Sequence, residues 1–123
     1  MSATDEPDFD WSQAASLLGD DPNVVEEDMV AIVRELVEGA DVQFKELKSK
    51  NPETERKSIS SLAHALRGCL LNFGFTAVGA ILVQIEKGSY ANEEYAARVD
   101  SAEAVFVASK KLLVARYPVL GSL

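Results

Sequence analysis

The segment Asn51–Gly74, NPETERKSISSLAHALRGCLLNFG, reads as an amphipathic helix whose orientation organises the rest of the chain. Asn51-Pro52 is a start signal, with Asn as N-cap and Pro at the first helical position. Glu53 and Glu55 then fall in the first turn, where negative charge suits the helix dipole. Ile59, Leu62, Ala63, Leu66, Leu70 and Phe73 recur at three- and four-residue spacing, the pattern of one buried stripe. At about 100° per residue, that stripe centres about 160° away from His64. The chain's one histidine is therefore predicted to face outward. Lys57, Ser60, Ser61, Arg67, Gly68 and Leu71 share its side.

A lone outward histidine is usually an ordinary surface residue. Here its neighbours one turn on are Arg67 and Gly68, at i+3 and i+4 on the same face. Glycine in a helix interior costs roughly 0.5–1 kcal/mol relative to alanine. Placed beside the imidazole, it leaves room for close approach of another group, and a phosphoryl group fits that requirement. Arg67 alone would read as a solvated cation or the partner of an acid such as Glu55 or Glu86.

Working outward, the remaining chain reads as helices joined by short breaks. Residues 1–9 are expected to be a flexible N-terminal tail. Asp10 caps a short helix through Leu18, with Trp11, Ala14, Ala15 and Leu18 on one side. Gly19-Asp20-Asp21-Pro22 breaks the chain, and a helix from about Pro22 to Lys48 follows. Its inward stripe is Val25, Met29, Ile32, Val33, Leu36, Ala40, Phe44 and Leu47, weakened locally by Gly39. Phe75 begins another apolar-periodic segment through Val78, Leu82 and Ile85, which Gly88 stops. Ser89 to Asn92 restart the chain, and a last helix reaches about Tyr117, before Pro118. Its core positions are Tyr95, Val99, Ala102, Val105, Phe106, Ser109, Leu112 and Leu113. Strand alternation and internal repeats are absent from the sequence. Long helices with short connections imply an all-α fold, an antiparallel up-down four-helix bundle with a short additional N-terminal helix. Residues 10–120 are expected to form its single domain.

Composition agrees. The chain has 123 residues, 47% of them hydrophobic, enough for one core. It contains no apolar run long enough for a membrane span. The acidic start MSATDEPDFD does not read as a secretory signal. A single cysteine allows no internal disulfide, which fits a reducing cytoplasm. The net charge of −8 argues against nucleic acid as a partner.

The eleven residues HALRGCLLNFG, His64–Gly74, resemble the histidine-containing phosphotransfer (HPt) domain of phosphorelay signalling. The family pattern is approximately His-x-Leu-(Lys/Arg)-Gly-(Ser/Ala)-x-x-x-(apolar)-Gly. His64, Leu66, Arg67, Gly68, Phe73 and Gly74 match it. Gln84-Ile85-Glu86 stands where the family often has Gln-Leu-Glu at the end of the next helix. Arg67 replaces the more usual lysine, and Cys69 replaces a small Ser or Ala.

The resemblance implies that His64 Nε2 accepts a phosphoryl group from a receiver-domain aspartate and passes it to another receiver. Imidazole suits this task because its ordinary pKa of about 6.5 leaves much of it neutral at cellular pH. Arg67 would offset the phosphoryl charge, and a polar residue on the next helix would hold the other ring nitrogen. Glu86 is the first candidate for that role and Gln84 the rival. Response-regulator receiver domains are the implied partners, with a hybrid histidine kinase as a candidate upstream. The carrier is expected to be monomeric and cytoplasmic, with no resident cofactor and no kinase activity. Mg²⁺ would belong to the receiver. No metal site is expected, since His64 and Glu86 supply two ligands at most.

Leu71 lies about 20° from the His64 direction, and Phe75 falls close to it if the helix continues through Gly74. Both are expected in the apolar part of a receiver-docking patch, bordered by Lys57, Ser60 and Ser61. Cys69, about 140° from His64, reads as a small buried hydrophobe rather than a reactive thiol. The alternative function is a non-catalytic helical adaptor using the same surface.

Overall fold

The computed structural model describes residues 8–121 and 123. It contains α1 (Trp11–Leu18), α2 (Glu27–Ser49), α3 (Arg56–Leu71), α4 (Thr76–Lys87) and α5 (Asn92–Arg116). A single 3₁₀ turn, Pro118–Leu120, follows α5, and the described residues include no strand. α2 to α5 form a four-helix bundle in which α2 packs on α3 and α5, and α4 packs on α3 and α5.

The bundle is antiparallel because its ends pair. Tyr95, near the start of α5, donates its hydroxyl to the Leu47 carbonyl near the end of α2, at 2.5 Å. At the other end Arg34 of α2 reaches the Leu120 carbonyl beyond α5, at 3.3 Å. Lys48 of α2 pairs with Glu103 and Asp100 of α5.

The core follows a stricter period than the apolar stripes suggest. Val33, Val37, Ala40, Phe44 and Leu47 of α2 are buried. So are Ile59, Ala63, Leu66 and Leu70 of α3, and Val78, Leu82 and Ile85 of α4. α5 buries Tyr95, Val99, Ala102, Phe106, Ser109 and Leu113. Each series alternates steps of four and three, the seam of a left-handed bundle. That seam is narrower than a helix face, so Leu36, Leu62, Phe73 and Val105 flank it half-buried. Ile32, expected inward, is 45% exposed, and Val37 occupies the core instead.

Three boundaries also differ from expectation. α3 begins at Arg56 rather than Pro52. The Asn51 side chain accepts the Glu53 N–H at 2.9 Å, and its carbonyl accepts the Glu55 N–H at 2.8 Å. Asn51 thus closes a separate turn before the helix starts. In the same way Asp21 accepts the Asn23 N–H at 2.9 Å, and α2 starts at Glu27 instead of Pro22. Lastly, Phe9 is part of the fold. It lies 4.5 Å from Trp11 and 5.0 Å from Phe75 between ring centroids. The expected tail therefore does not extend to Asp8 and Phe9; its residues 1–7 lie outside the described residues.

The α3–α4 turn decides which residues reach solvent. Phe75 N–H bonds to the Leu70 carbonyl at 3.1 Å, and Gly74 N–H to the Leu71 carbonyl at 3.0 Å. This is a Schellman cap with Gly74 in the left-handed region, φ +94°. A Cβ at Gly74 would stand 2.6 Å from the Asp10 carbonyl oxygen and 2.8 Å from the Phe9 ring. The same carbonyl edge takes up the N-terminal segment, with Asp10 N–H bonding to Gly74 O at 2.8 Å. Because the helix stops here, Phe75 turns inward and is fully buried, 5.3 Å from Phe106. It cannot belong to a docking patch.

Candidate functional site

The outward face of α3 carries His64, whose side chain is 65% exposed. Its position follows from the seam: Ala63 and Leu66 are buried, and His64 lies between them on the opposite side. Its ring contacts the next helix. Glu86 of α4 places Oε2 3.0 Å from His64 Nδ1. Arg67, one turn along α3, donates to Glu86 Oε1 from Nε at 3.2 Å and from Nη2 at 2.9 Å.

Arg67 Nη2 also lies 3.2 Å from His64 Nδ1, so that nitrogen has both a carboxylate and a guanidinium beside it. The two neighbours make opposite demands. A bare Nδ1 would accept from Arg67 but set its lone pair against an anionic oxygen. An Nδ1–H satisfies the carboxylate, and Arg67 keeps its two bonds to Oε1 in either case. The second arrangement leaves fewer conflicts, so the proton is assigned to Nδ1. Nε2 then carries the lone pair of a ring that is largely open to solvent.

Glu86 is 15% exposed and Arg67 23% exposed. Burial pushes the Glu86 carboxyl pKa up, but the bonds and charges of Arg67 and His64 outweigh it and hold it below the ordinary value. The carboxylate is therefore ionised at neutral pH and available as an acceptor. Gln84 is oriented elsewhere: its Oε1 accepts from Arg98 Nη1 of α5 at 2.6 Å. Of the two candidates on α4, Glu86 carries the contact with the imidazole.

Two residues that the sequence reading missed shape this geometry. Gly79 of α4 is buried, and a Cβ there would stand 2.7 Å from Leu71 Cδ2 and 3.8 Å from Arg67 Cγ. Its absence lets α3 and α4 approach, with Leu71 and the Arg67 stem covering the gap. The readable signal was a glycine inside an apolar helix with no turn nearby. Arg56, at the start of α3, donates from Nη2 to the Glu86 backbone carbonyl at 2.7 Å. Its signal was a cation in the first turn of a helix, where the dipole disfavours it.

The other expected site residues lie apart from this network. Gly68 is exposed, and a Cβ there would meet nothing within 4 Å, so no packing within the chain requires glycine. Lys57 and Ser61 are exposed and Ser60 half-buried, on the preceding turns of α3. Lys57 and Ser61 line an open groove against Glu46 of α2. Leu71 is half-buried because it leans over Gly79. Cys69 is exposed, contrary to the expectation of a buried hydrophobe, since its face of α3 lies over Gly39 and Gln43 rather than in the seam. Among the described residues, no three His, Cys, Asp or Glu side chains gather as a metal site.

A helical bundle presenting one oriented, solvent-facing imidazole on a long helix is the class that fold and site define together. Residues 26–113 match the family model of the Hpt domain, and the chain belongs to that family. The match runs from the N-cap of α2 into the last turn of α5 region, leaving α1 outside. Membership implies histidine phosphotransfer in a phosphorelay, and Hpt domains interact with receiver domains. No curated protein and no solved structure matches the chain. No helix among the described residues is long and apolar enough to cross a membrane.

Proposed function

We propose that this chain is a phosphorelay carrier in which His64 accepts a phosphoryl group from a receiver-domain aspartate and delivers it to another receiver. The observation that carries the reading is the Nδ1–Glu86 contact at 3.0 Å on an imidazole that is otherwise open to solvent. In the forward step the Nε2 lone pair attacks phosphorus, a P–N bond forms, and the P–O bond to the receiver aspartate breaks. The aspartate leaves as a carboxylate. The ring, now bearing phosphorus on Nε2 and a proton on Nδ1, gains positive charge that Glu86 offsets. The reverse sequence transfers the group onward.

In this reading Arg67 acts through Glu86 as well as by its charge. Gly68 gives the donor access, and Leu71, Lys57, Ser60 and Ser61 border the docking face. The chain works as a single domain, a monomer in the cytoplasm, with receivers and a hybrid histidine kinase as partners. The Mg²⁺ of the transfer belongs to the receiver.

Incubation with a panel of phosphorylated receiver domains tests the proposal. Acid-labile label should pass to the wild-type chain and be absent from His64→Gln, whose fold should be intact by circular dichroism. Undiminished labelling of His64→Gln would rule out His64 as the carrier. Receiver binding with no label on either protein would leave the adaptor function in its place.

A further inference from the structure

We propose that Arg56 is a positioning residue that sets the tautomer of His64 by holding the backbone of Glu86. The inference deepens the carrier reading, but its spectroscopic test does not depend on phosphoryl transfer. Arg56 is the first residue of α3, where its charge opposes the dipole of its own helix. Antiparallel packing puts that position beside the end of α4. There the guanidinium meets carbonyls that the helix leaves without partners, and the bond to Glu86 O is 2.7 Å. Its charge is unfavourable for α3 and favourable for α4.

Glu86 needs such a hold. It is the second-last residue of α4, which ends at Lys87. Helix ends open most readily, so a side chain placed there is a poor fixed point unless tied down. Two residues earlier in that turn, Gln84 O takes the Gly88 N–H at 2.8 Å and the Tyr90 hydroxyl at 3.1 Å. Arg56 supplies the equivalent tie at Glu86 itself, as a charge-assisted bond. Arg67 fixes the carboxylate and Arg56 the backbone, so the side chain that orients His64 is held at both ends. The Arg56 charge also reaches Tyr95 of α5. Burial raises the Tyr95 phenol to about 12, and the Arg56 charge acts against that rise. Its guanidinium thus stands where α2 and α4 end and α3 and α5 begin.

Loosening Glu86 has a defined consequence. Free imidazole favours its proton on Nε2, and Glu86 draws it to Nδ1. With Arg56 gone, the proton should return to Nε2 and occupy the nucleophilic lone pair.

The test uses the full chain labelled with ¹⁵N, with the His64 ring nitrogens read by long-range ¹H–¹⁵N NMR at alkaline pH. Phosphoramidate labelling of His64 gives the rate. Wild type should carry the proton on Nδ1. Arg56→Ala should shift the population toward Nε2 and slow labelling by about tenfold, with Arg56→Lys recovering most of both. A merely structural residue would lower the melting temperature without moving the tautomer. An Arg56→Ala chain that is folded, with wild-type tautomer and rate, overturns the proposal. Should Arg56→Ala not fold, Arg56→Gln, which keeps a donor and drops the charge, is read by the same criteria. If wild type takes no label at all, the carrier function fails, and the tautomer arm still decides the role of Arg56.

Discussion

The α4 and α2 sides of His64 are built in opposite ways. Toward α4, Glu86 and Arg67 interlock beside the imidazole, and Leu71 closes over Gly79. Toward α2, the groove lined by Lys57, Ser61, Ala65 and Glu46 stays open. A separate hollow between the same two helices is lined by Gly39 and Gln43 of α2 and the exposed Cys69 of α3. Gly68, one turn from His64, has open space where a Cβ would be. The difference separates two requirements. Orienting a ring nitrogen demands fixed neighbours, whereas receiving a group from a second protein demands an unobstructed approach. In the proposed carrier, a single helix would meet both by turning one flank to a close-packed neighbour and leaving the other uncovered.

Two measurements break this comparison apart: labelling by a small phosphodonor, which needs only the oriented imidazole, and transfer from a receiver, which also needs the open flank. The largest effect should come from Gly79→Leu. Its side chain has no room against Leu71, so overpacking should cost about 1–3 kcal/mol in urea unfolding and move α4 off α3. Both labelling rates should fall with it. Unchanged stability and rates would mean that the α3–α4 spacing is not what holds Glu86 in place.

Glu86→Ala should leave the bundle folded and slow both reactions by about tenfold, by analogy with the hydrogen-bond partners of metal-ligating histidines, whose loss costs about 10–100-fold. A loss confined to receiver transfer would move Glu86 from the oriented flank to the docking surface. Gly68→Gln tests the open flank. It should reduce receiver transfer by about fivefold, equivalent to roughly 1 kcal/mol of barrier, and leave small-donor labelling near wild type. Its stability should not fall, because the position is empty and glutamine is the better helix former. Equal losses in both assays would place an obstruction at the ring itself.

The smallest effect is on the pH dependence of stability. The folded-state pKa of Glu86 lies below its ordinary value of 4.5, so the unfolded chain binds its proton first as pH falls. Its stabilising contribution is present above about pH 4.5 and is lost as pH drops through the lowered folded value. The difference in urea midpoint between wild type and Glu86→Gln should therefore shrink as pH falls below about 4.5. A difference that keeps its neutral-pH size well below pH 4.5 would contradict the Arg67 and His64 pairing.

Much of the bundle was readable from spacing alone. The Asp10 cap of α1 forms as expected, with Asp10 accepting the Gln13 N–H at 3.1 Å. α4 ends before Gly88 and α5 before Pro118, where glycine and proline end helices for local reasons. Helix starts were less legible, because the Asn51 and Asp21 side chains serve a turn as well as a helix N-terminus, and both made turns. Helical phase placed His64 outward, but its extension through Gly74 put Phe75 on the wrong side. A left-handed residue resets the direction of the chain, and phase counting does not cross it.

The sequence by itself determined the helices, the outward direction of His64, and the pattern that relates it to a phosphotransfer family, since these depend on residues within a few turns of one another. Tertiary structure decided what surrounds the ring. Glu86 is 22 residues from His64, and Arg56 is 30 residues from the carbonyl it holds. Gly79 acts through the Leu71 and Arg67 side chains of another helix. Whether such groups meet depends on interhelical distance and on which helix end lies beside which, quantities set by packing the whole bundle and not by the period of any one segment.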